Sequence, residues 1–115
     1  MERQFRLTRT TDFMRVRRSG KSYAHPLVVL ITAHNDRSDL PVRVGVSASQ
    51  AVGNAVQRNR AKRRLRACVS PLLETIKPGN DLIFLARRSI EQASYQDLCK
   101  AIQNLLKRAG LVEEV

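Results

Sequence analysis

Residues 42–66 read VRVGVSASQAVGNAVQRNRAKRRLR, and two periodicities meet inside them. Val42-Arg43-Val44-Gly45-Val46-Ser47 alternates from position to position, the pattern of a half-buried strand. Ala51-Val52-Gly53-Asn54 is a loop, with Gly53-Asn54 as the turn that sets a helix start. Beyond it Ala61, Leu65, Cys68 and Val69 recur at i, i+4, i+7 and i+8, one apolar stripe of an amphipathic helix. A strand running through a turn into a helix makes this a mixed α and β chain. The flanking segments decide which kind.

The same helix carries the charge. Arg58 to Arg66 holds six basic residues in nine. At 100° per residue Arg58, Lys62 and Arg66 form a row beside the apolar stripe, Asn59 and Arg63 come next, and Arg60 and Arg64 project on the far side. The 115-residue chain has 21 Lys and Arg against 10 Asp and Glu, a net charge of +11. Residues 40–73 carry seven basic and no acidic side chains, whereas residues 74–115 carry six of each. The whole excess therefore lies in the first 73 residues. Like charges at i, i+4 repel by a few tenths of a kcal/mol, about 0.2–0.5 per pair, so an anionic partner is expected. A phosphate backbone fits best.

Upstream, Thr10 to Arg18 reads as a short helix that Thr10 or Thr11 caps, with Phe13 and Val16 inward and Ser19-Gly20 as its stop. Leu27 to Ala33 is a β-branched strand, followed by the turn-rich stretch His34 to Pro41, so Val42–Ser47 is expected to be its antiparallel partner. Downstream, Ser70 as N-cap and Pro71 at N1 suggest a short helix through Ile76. After the turn Lys77–Asn80, Asp81 to Arg87 forms a buried strand. Ser94 and Asp97 resemble a capping box for a last helix whose Leu98, Ile102, Leu105, Leu106 and Ala109 share one face before Gly110. The order is α-β-β-α-β-α, with room for a short extra strand near Ser22–Ala24. This is an α+β fold, a two-layer α/β sandwich with a small mixed sheet. No linker or repeat divides it, so residues 1–115 are expected to form a single domain that binds a nucleic-acid phosphate backbone.

Protein-based catalysis finds little support. His25 and His34 flank one strand, roughly 30 Å apart at about 3.3 Å per residue, too far to share one phosphate. Asp36 and Asp39 belong to a turn, and Glu113 and Glu114 to the tail. Cys68 and Cys99 are too few for a disulfide scaffold and read as reduced core thiols of a cytoplasmic protein. No zinc-ligand spacing, Walker loop or nucleophile elbow occurs. No apolar run approaches the roughly 18 residues of a membrane span, and residues 1–25 lack a secretory apolar region.

Arg43-Val44-Gly45-Val46-Ser47 followed by Val52-Gly53-Asn54-Ala55-Val56-Gln57-Arg58-Asn59-Arg60-Ala61-Lys62-Arg63-Arg64-Leu65-Arg66 closely resembles the signature of the bacterial ribonuclease P protein component. Arg6-Leu7, Asp12-Phe13 with Val16, Gly20 and Asp81 through Arg87 match further pieces in order. The resemblance implies a ribonucleoprotein whose RNA subunit cleaves the 5′ leader from precursor tRNA, with Mg2+ held mainly by that RNA and the substrate. It implies the ribonuclease P RNA subunit and precursor tRNA as partners, and neither a membrane nor a small-molecule substrate. Arg58, Asn59, Arg60, Lys62, Arg63 and Arg66 match the family's RNA-binding helix, with Arg43 and Asn54 beside it. Phe13 matches an aromatic of the leader cleft, where base stacking is worth about 1–3 kcal/mol; a plain core anchor is the competing role. Arg17 and Ile31 stand where the family often has aromatics, so leader binding here should lean more on charge. The family fold also implies a left-handed β-α-β crossover, against the general right-handed rule.

Two other classes fit size and basicity: a non-enzymatic ribosomal or RNA-chaperone protein, and a DNA-binding module. The second would need a short helix before the basic one, where Val42–Ser47 reads as strand.

Overall fold

The structure is a computed structural model and describes residues 1–35 and 41–113. Asp36 and Asp39 lie outside the described residues, as does Glu114. Four strands, β1 (Lys21–Ala24), β2 (Val28–His34), β3 (Arg43–Ala48) and β4 (Asn80–Ala86), combine with three helices, α1 (Thr10–Ser19), α2 (Ala55–Val69) and α3 (Tyr95–Arg108). Short 3-10 turns fill the connections, among them Ser70–Thr75 and Arg88–Gln92. The α+β sandwich with a mixed sheet is therefore the observed architecture, and the extra strand at Ser22–Ala24 is real.

The sheet order is β1-β2-β4-β3. β3 does not pair with β2 as hairpin reasoning expected. β4 inserts between them, antiparallel to β2 and parallel to β3. The physical reason lies in β4 itself: Leu82, Ile83 and Phe84 are all fully buried, and a strand apolar on both faces belongs at the centre of a sheet. Val42–Ser47 instead alternates and suits the edge. α2 then becomes the crossover joining parallel β3 and β4.

Alternation along the strands sends successive side chains to opposite faces. Val28, Leu30, Leu82 and Phe84 pack with Ala61 and Leu65 of α2 and with Leu98, Ile102, Leu105 and Leu106 of α3 in the main core. Ile31 and Ile83 join Leu7 and Val16 of the N-terminal segment and α1 in a smaller cluster on the other face. At about 25 cal/mol per Å2 of apolar area, each fully buried Leu, Ile or Phe contributes about 1.5–3 kcal/mol, which makes the α2–α3 face the main source of stability.

Several local expectations change. Neither Thr10 nor Thr11 caps α1; Arg9 occupies that position without a side-chain bond, while Gly20 ends the helix as expected. Ser70 continues the helical backbone from α2, and its hydroxyl donates to the Arg66 carbonyl at 2.8 Å instead of capping a new helix. Ser94 does cap α3, accepting from the Asp97 N–H at 3.0 Å. The reduced thiols are also corrected: Cys68 and Cys99 form a disulfide joining α2 to α3. The two helices pack side by side and bring the Cα atoms to 5.2 Å, within the range a disulfide spans. Counting cysteines could not reveal that proximity across 31 residues.

Candidate nucleic-acid interface

The basic helix begins at a double lock. The Asn54 side-chain carbonyl accepts from the Gln57 N–H at 2.9 Å, and the Gln57 side chain accepts from the Asn54 N–H at 2.8 Å. This capping box satisfies two otherwise orphaned donors. Gly53 precedes it at φ 144°, in the left-handed half of backbone space, and a Cβ there would strike the Gln57 side chain. Gly53 and Asn54 thus fix where α2 starts.

From that start the phasing follows. Ala61, Leu65, Cys68 and Val69 are buried against the sheet and α3. Arg58 and Lys62 are half-buried on one flank, while Asn59, Arg63 and Arg66 are exposed. Among the described residues, Arg58, Lys62, Arg63 and Arg66 have no acidic partner within ion-pair distance. Arg60 and Arg64 differ. Arg60 lies 3.5 Å from Glu91. Arg64 was expected on the far side, yet its guanidinium folds back and donates to the carbonyls of Ile90, at 2.8 Å, and of Ala93. It closes the 3-10 turn Arg88–Gln92 onto α2. The outward-facing charge of α2 is therefore smaller than its composition, and concentrated at four positions plus Arg60.

The opposite face of the sheet holds a second arrangement. α1 crosses it with Phe13 over Gly45 of β3 and with its end, Gly20, close to Ile31 and Thr32 of β2. A Cβ on Gly45 would overlap the Phe13 ring, so the close approach of α1 depends on that glycine. Phe13 is half-buried against the Leu7, Val16, Ile31 and Ile83 cluster, which is the contact expected of a core anchor. Ile31 was assigned to the cleft wall; at 6% exposure it lies in that core cluster instead.

On one side of α1 lies an ion cluster. Asp81, wholly buried at the start of β4, accepts from Arg43 Nε at 2.9 Å and Nη2 at 2.8 Å, from Asn35 at 3.2 Å and from Arg15 of α1. Asp12 stands 3.5 Å from both Arg15 and Arg43. Burial is the largest single influence on the Asp81 carboxyl and pushes its pKa up; the bonds from Arg43, Asn35 and Arg15 together outweigh it and hold the pKa below the ordinary value. The Asp81 hydrogen bond in turn raises the pKa of Arg43 against the effect of burial. Two cations and two anions compensate one another, and the half-buried Arg43 guanidinium is committed to Asp81 and Asp12.

On the other side of α1 the sheet is open. Arg17, Val29, Ser47, Ser49, Leu85, Arg87 and Arg88 line a cavity of about 430 Å3 along with Ala51 and Ala86. Its floor is apolar, its rim carries three arginines, and two serine hydroxyls stand beside β3. Such a groove suits an extended anionic chain with flat apolar groups.

A family model, Ribonuclease P, matches residues 1–110. The chain belongs to the ribonuclease P protein family. A relative from Clostridium novyi (strain NT), named ribonuclease P protein component, is 39% identical over 96% of this chain and 98% of its own. Among solved structures, a Staphylococcus aureus RNase P protein mutant with defective mRNA degradation activity superposes with a TM-score of 0.86 at 31% identity, covering 96% of this chain and 92% of that one. The Thermotoga maritima RNase P protein superposes at 0.79 with 26% identity, covering 95% and 98%. Within this ribonuclease P protein fold, sequence reasoning missed Asp81, Arg15, Arg87 and Arg88 as site-forming residues. An aspartate heading an apolar strand is a readable signal, because a carboxylate entering a sheet needs a cation. Arg87 stood only as the end of the family match Asp81 through Arg87 and Arg88 had no signal, since only the sheet order brings them beside Arg17. No described helix is long and apolar enough to cross a membrane.

Proposed function

We propose that this chain is the single-domain protein subunit of a ribonuclease P ribonucleoprotein, in which an RNA subunit removes the 5′ leader of precursor tRNA. Arg58, Asn59, Arg60, Lys62, Arg63 and Arg66 bind structured RNA through its phosphates, with Asn54 fixing the helix start and Arg43 supporting β3 beneath. The observation that carries this reading is that Arg58, Lys62, Arg63 and Arg66 of α2 have no acidic partner among the described residues while standing in the family's own motif. The groove beside α1 takes the single-stranded leader: Arg17, Arg87 and Arg88 meet its phosphates, bases lie over Val29 and Leu85, and Phe13, over Gly45 on the same face of the sheet, offers its ring to a further base.

Among the described residues no group of three or more His, Cys, Asp or Glu could hold a metal ion, and Asp12 and Asp81 are occupied by arginines. This reading places Mg2+ with the RNA subunit and the substrate. The protein's part is to bind, orient and screen. Mixing the purified chain with a bacterial ribonuclease P RNA subunit and precursor tRNA tests it. Restored leader cleavage at low magnesium is expected; no stimulation at any salt concentration contradicts it.

A further inference from the structure

The Asp81 cluster and the open groove lie on opposite flanks of one helix. Arg15 points to the end of the sheet where β3 and β4 begin, and there it bonds Asp81 and the His34 carbonyl at 3.3 Å. Arg17, two residues on and about 200° around the helix, points to the other end and walls the groove with Ser47 and Leu85. Between them Phe13 and Val16 press on the sheet. α1 is short, and the cluster beneath it is small: among the described residues Leu7, Val16, Ile31 and Ile83 are its buried members, with Phe13, Val29, Ala33 and Leu85 packed around them. Apolar packing is not directional, and Phe13 over Gly45 sets the height of the helix above the sheet more than its position along it. Asp81 adds a directional tie, because its carboxylate holds α1 through Arg15 and β3 through Arg43 at the same time.

We infer that Asp81 is a positioning residue for the RNA leader: by tying Arg15 and Arg43 it fixes α1 across the sheet, and so sets the width of the groove that Arg17 lines. This rests on the leader-binding reading above. Asp81 itself is wholly buried on the far side of α1 and touches no ligand. Its effect reaches the groove only through the helix.

Charge gives the inference a distinctive sign. Asp81→Asn keeps the side-chain shape while raising the net charge by one, so simple electrostatics would strengthen RNA binding. A positioning role predicts the reverse for the leader alone. The test uses the protein assembled with its RNA subunit and compares affinity for precursor tRNA bearing a single-stranded leader with affinity for mature tRNA. Asp81→Asn is expected to cut the leader preference about fivefold or more, as loss of charge-assisted bonds would, with affinity for mature tRNA nearly unchanged.

Arg15→Gln provides the second variant, since it leaves the Asp81–Arg43 pair and the fold in place. It should lower the leader preference in the same direction, Arg15→Lys should recover part of it, and the salt dependence of leader binding should stay at the parent's value. A salt slope lower by about one in Arg15→Gln would show a direct phosphate contact and overturn the positioning role. A leader preference undiminished in both Asp81→Asn and Arg15→Gln would overturn it as well, while leaving the leader groove intact. A parent protein with no leader preference at all would overturn the groove assignment and the positioning role together.

Discussion

The ring of Phe13 fills the space in which a Cβ of residue 45 would stand. A helix residue and a strand glycine thus define how near α1 comes to the sheet. Gly45→Ala should destabilise the fold by about 1–3 kcal/mol, the usual cost of overpacking, with a lower urea midpoint at unchanged slope. Phe13→Ala leaves a hole in the same place and should cost about 3 kcal/mol. If the ring also meets the leader, Phe13→Ala weakens binding of leader-bearing substrate more than of mature tRNA. Equal losses would assign Phe13 to anchoring alone.

Acid should loosen the Asp81 cluster in a predictable window. With its folded pKa held below the ordinary aspartate value of about 3.9, Asp81 contributes stability that is complete above that value. The contribution is lost as pH falls through the lower, folded value. Stability measured by denaturant titration should therefore drop steeply below about pH 4, and Asp81→Asn should flatten that limb. An identical acid limb in variant and parent would mean that the cluster adds nothing.

The Asn54–Gln57 box should matter locally. Asn54→Ala is expected to cost about 1 kcal/mol and to fray the first turn of α2, readable as faster amide exchange at Gln57. Exchange unchanged at Gln57 would contradict it.

The Cys68–Cys99 bond closes a loop of 31 residues between α2 and α3. Cross-links of that span contribute about 2–4 kcal/mol, so reductant should lower the melting temperature of the parent and leave Cys68→Ser/Cys99→Ser unaffected. A parent melting curve insensitive to reductant would show the thiols to be unbonded in solution.

How much of this was legible in sequence follows from the range of each interaction. α2 and α3 repeat their apolar residues every three or four positions, so Leu65 with Val69, and Leu98 with Ile102, announce their own burial. The edge character of Val42–Ser47 is local too, but its partner is not: nothing within that run says that Leu82–Phe84 intervenes. The same holds for Cys68 with Cys99 and for Arg64 with Ile90, contacts made only once the layers close. Asn54-x-x-Gln57 was a readable capping signal, and the plain turn reading passed over it. Ile31 was placed by analogy with aromatics in relatives, whereas its strand parity puts it under α1.

The salt dependence of binding to the RNA subunit tests the division of labour on α2. Lys62 has no acidic partner among the described residues, and Arg64 is held by the carbonyls of Ile90 and Ala93. Lys62→Ala should lower the slope of log affinity against log salt by about one phosphate contact, while Arg64→Ala keeps the parent slope and loses only stability. A parent slope retained in Lys62→Ala, or a slope lost in Arg64→Ala, would contradict the assignment of the α2 cation row to RNA.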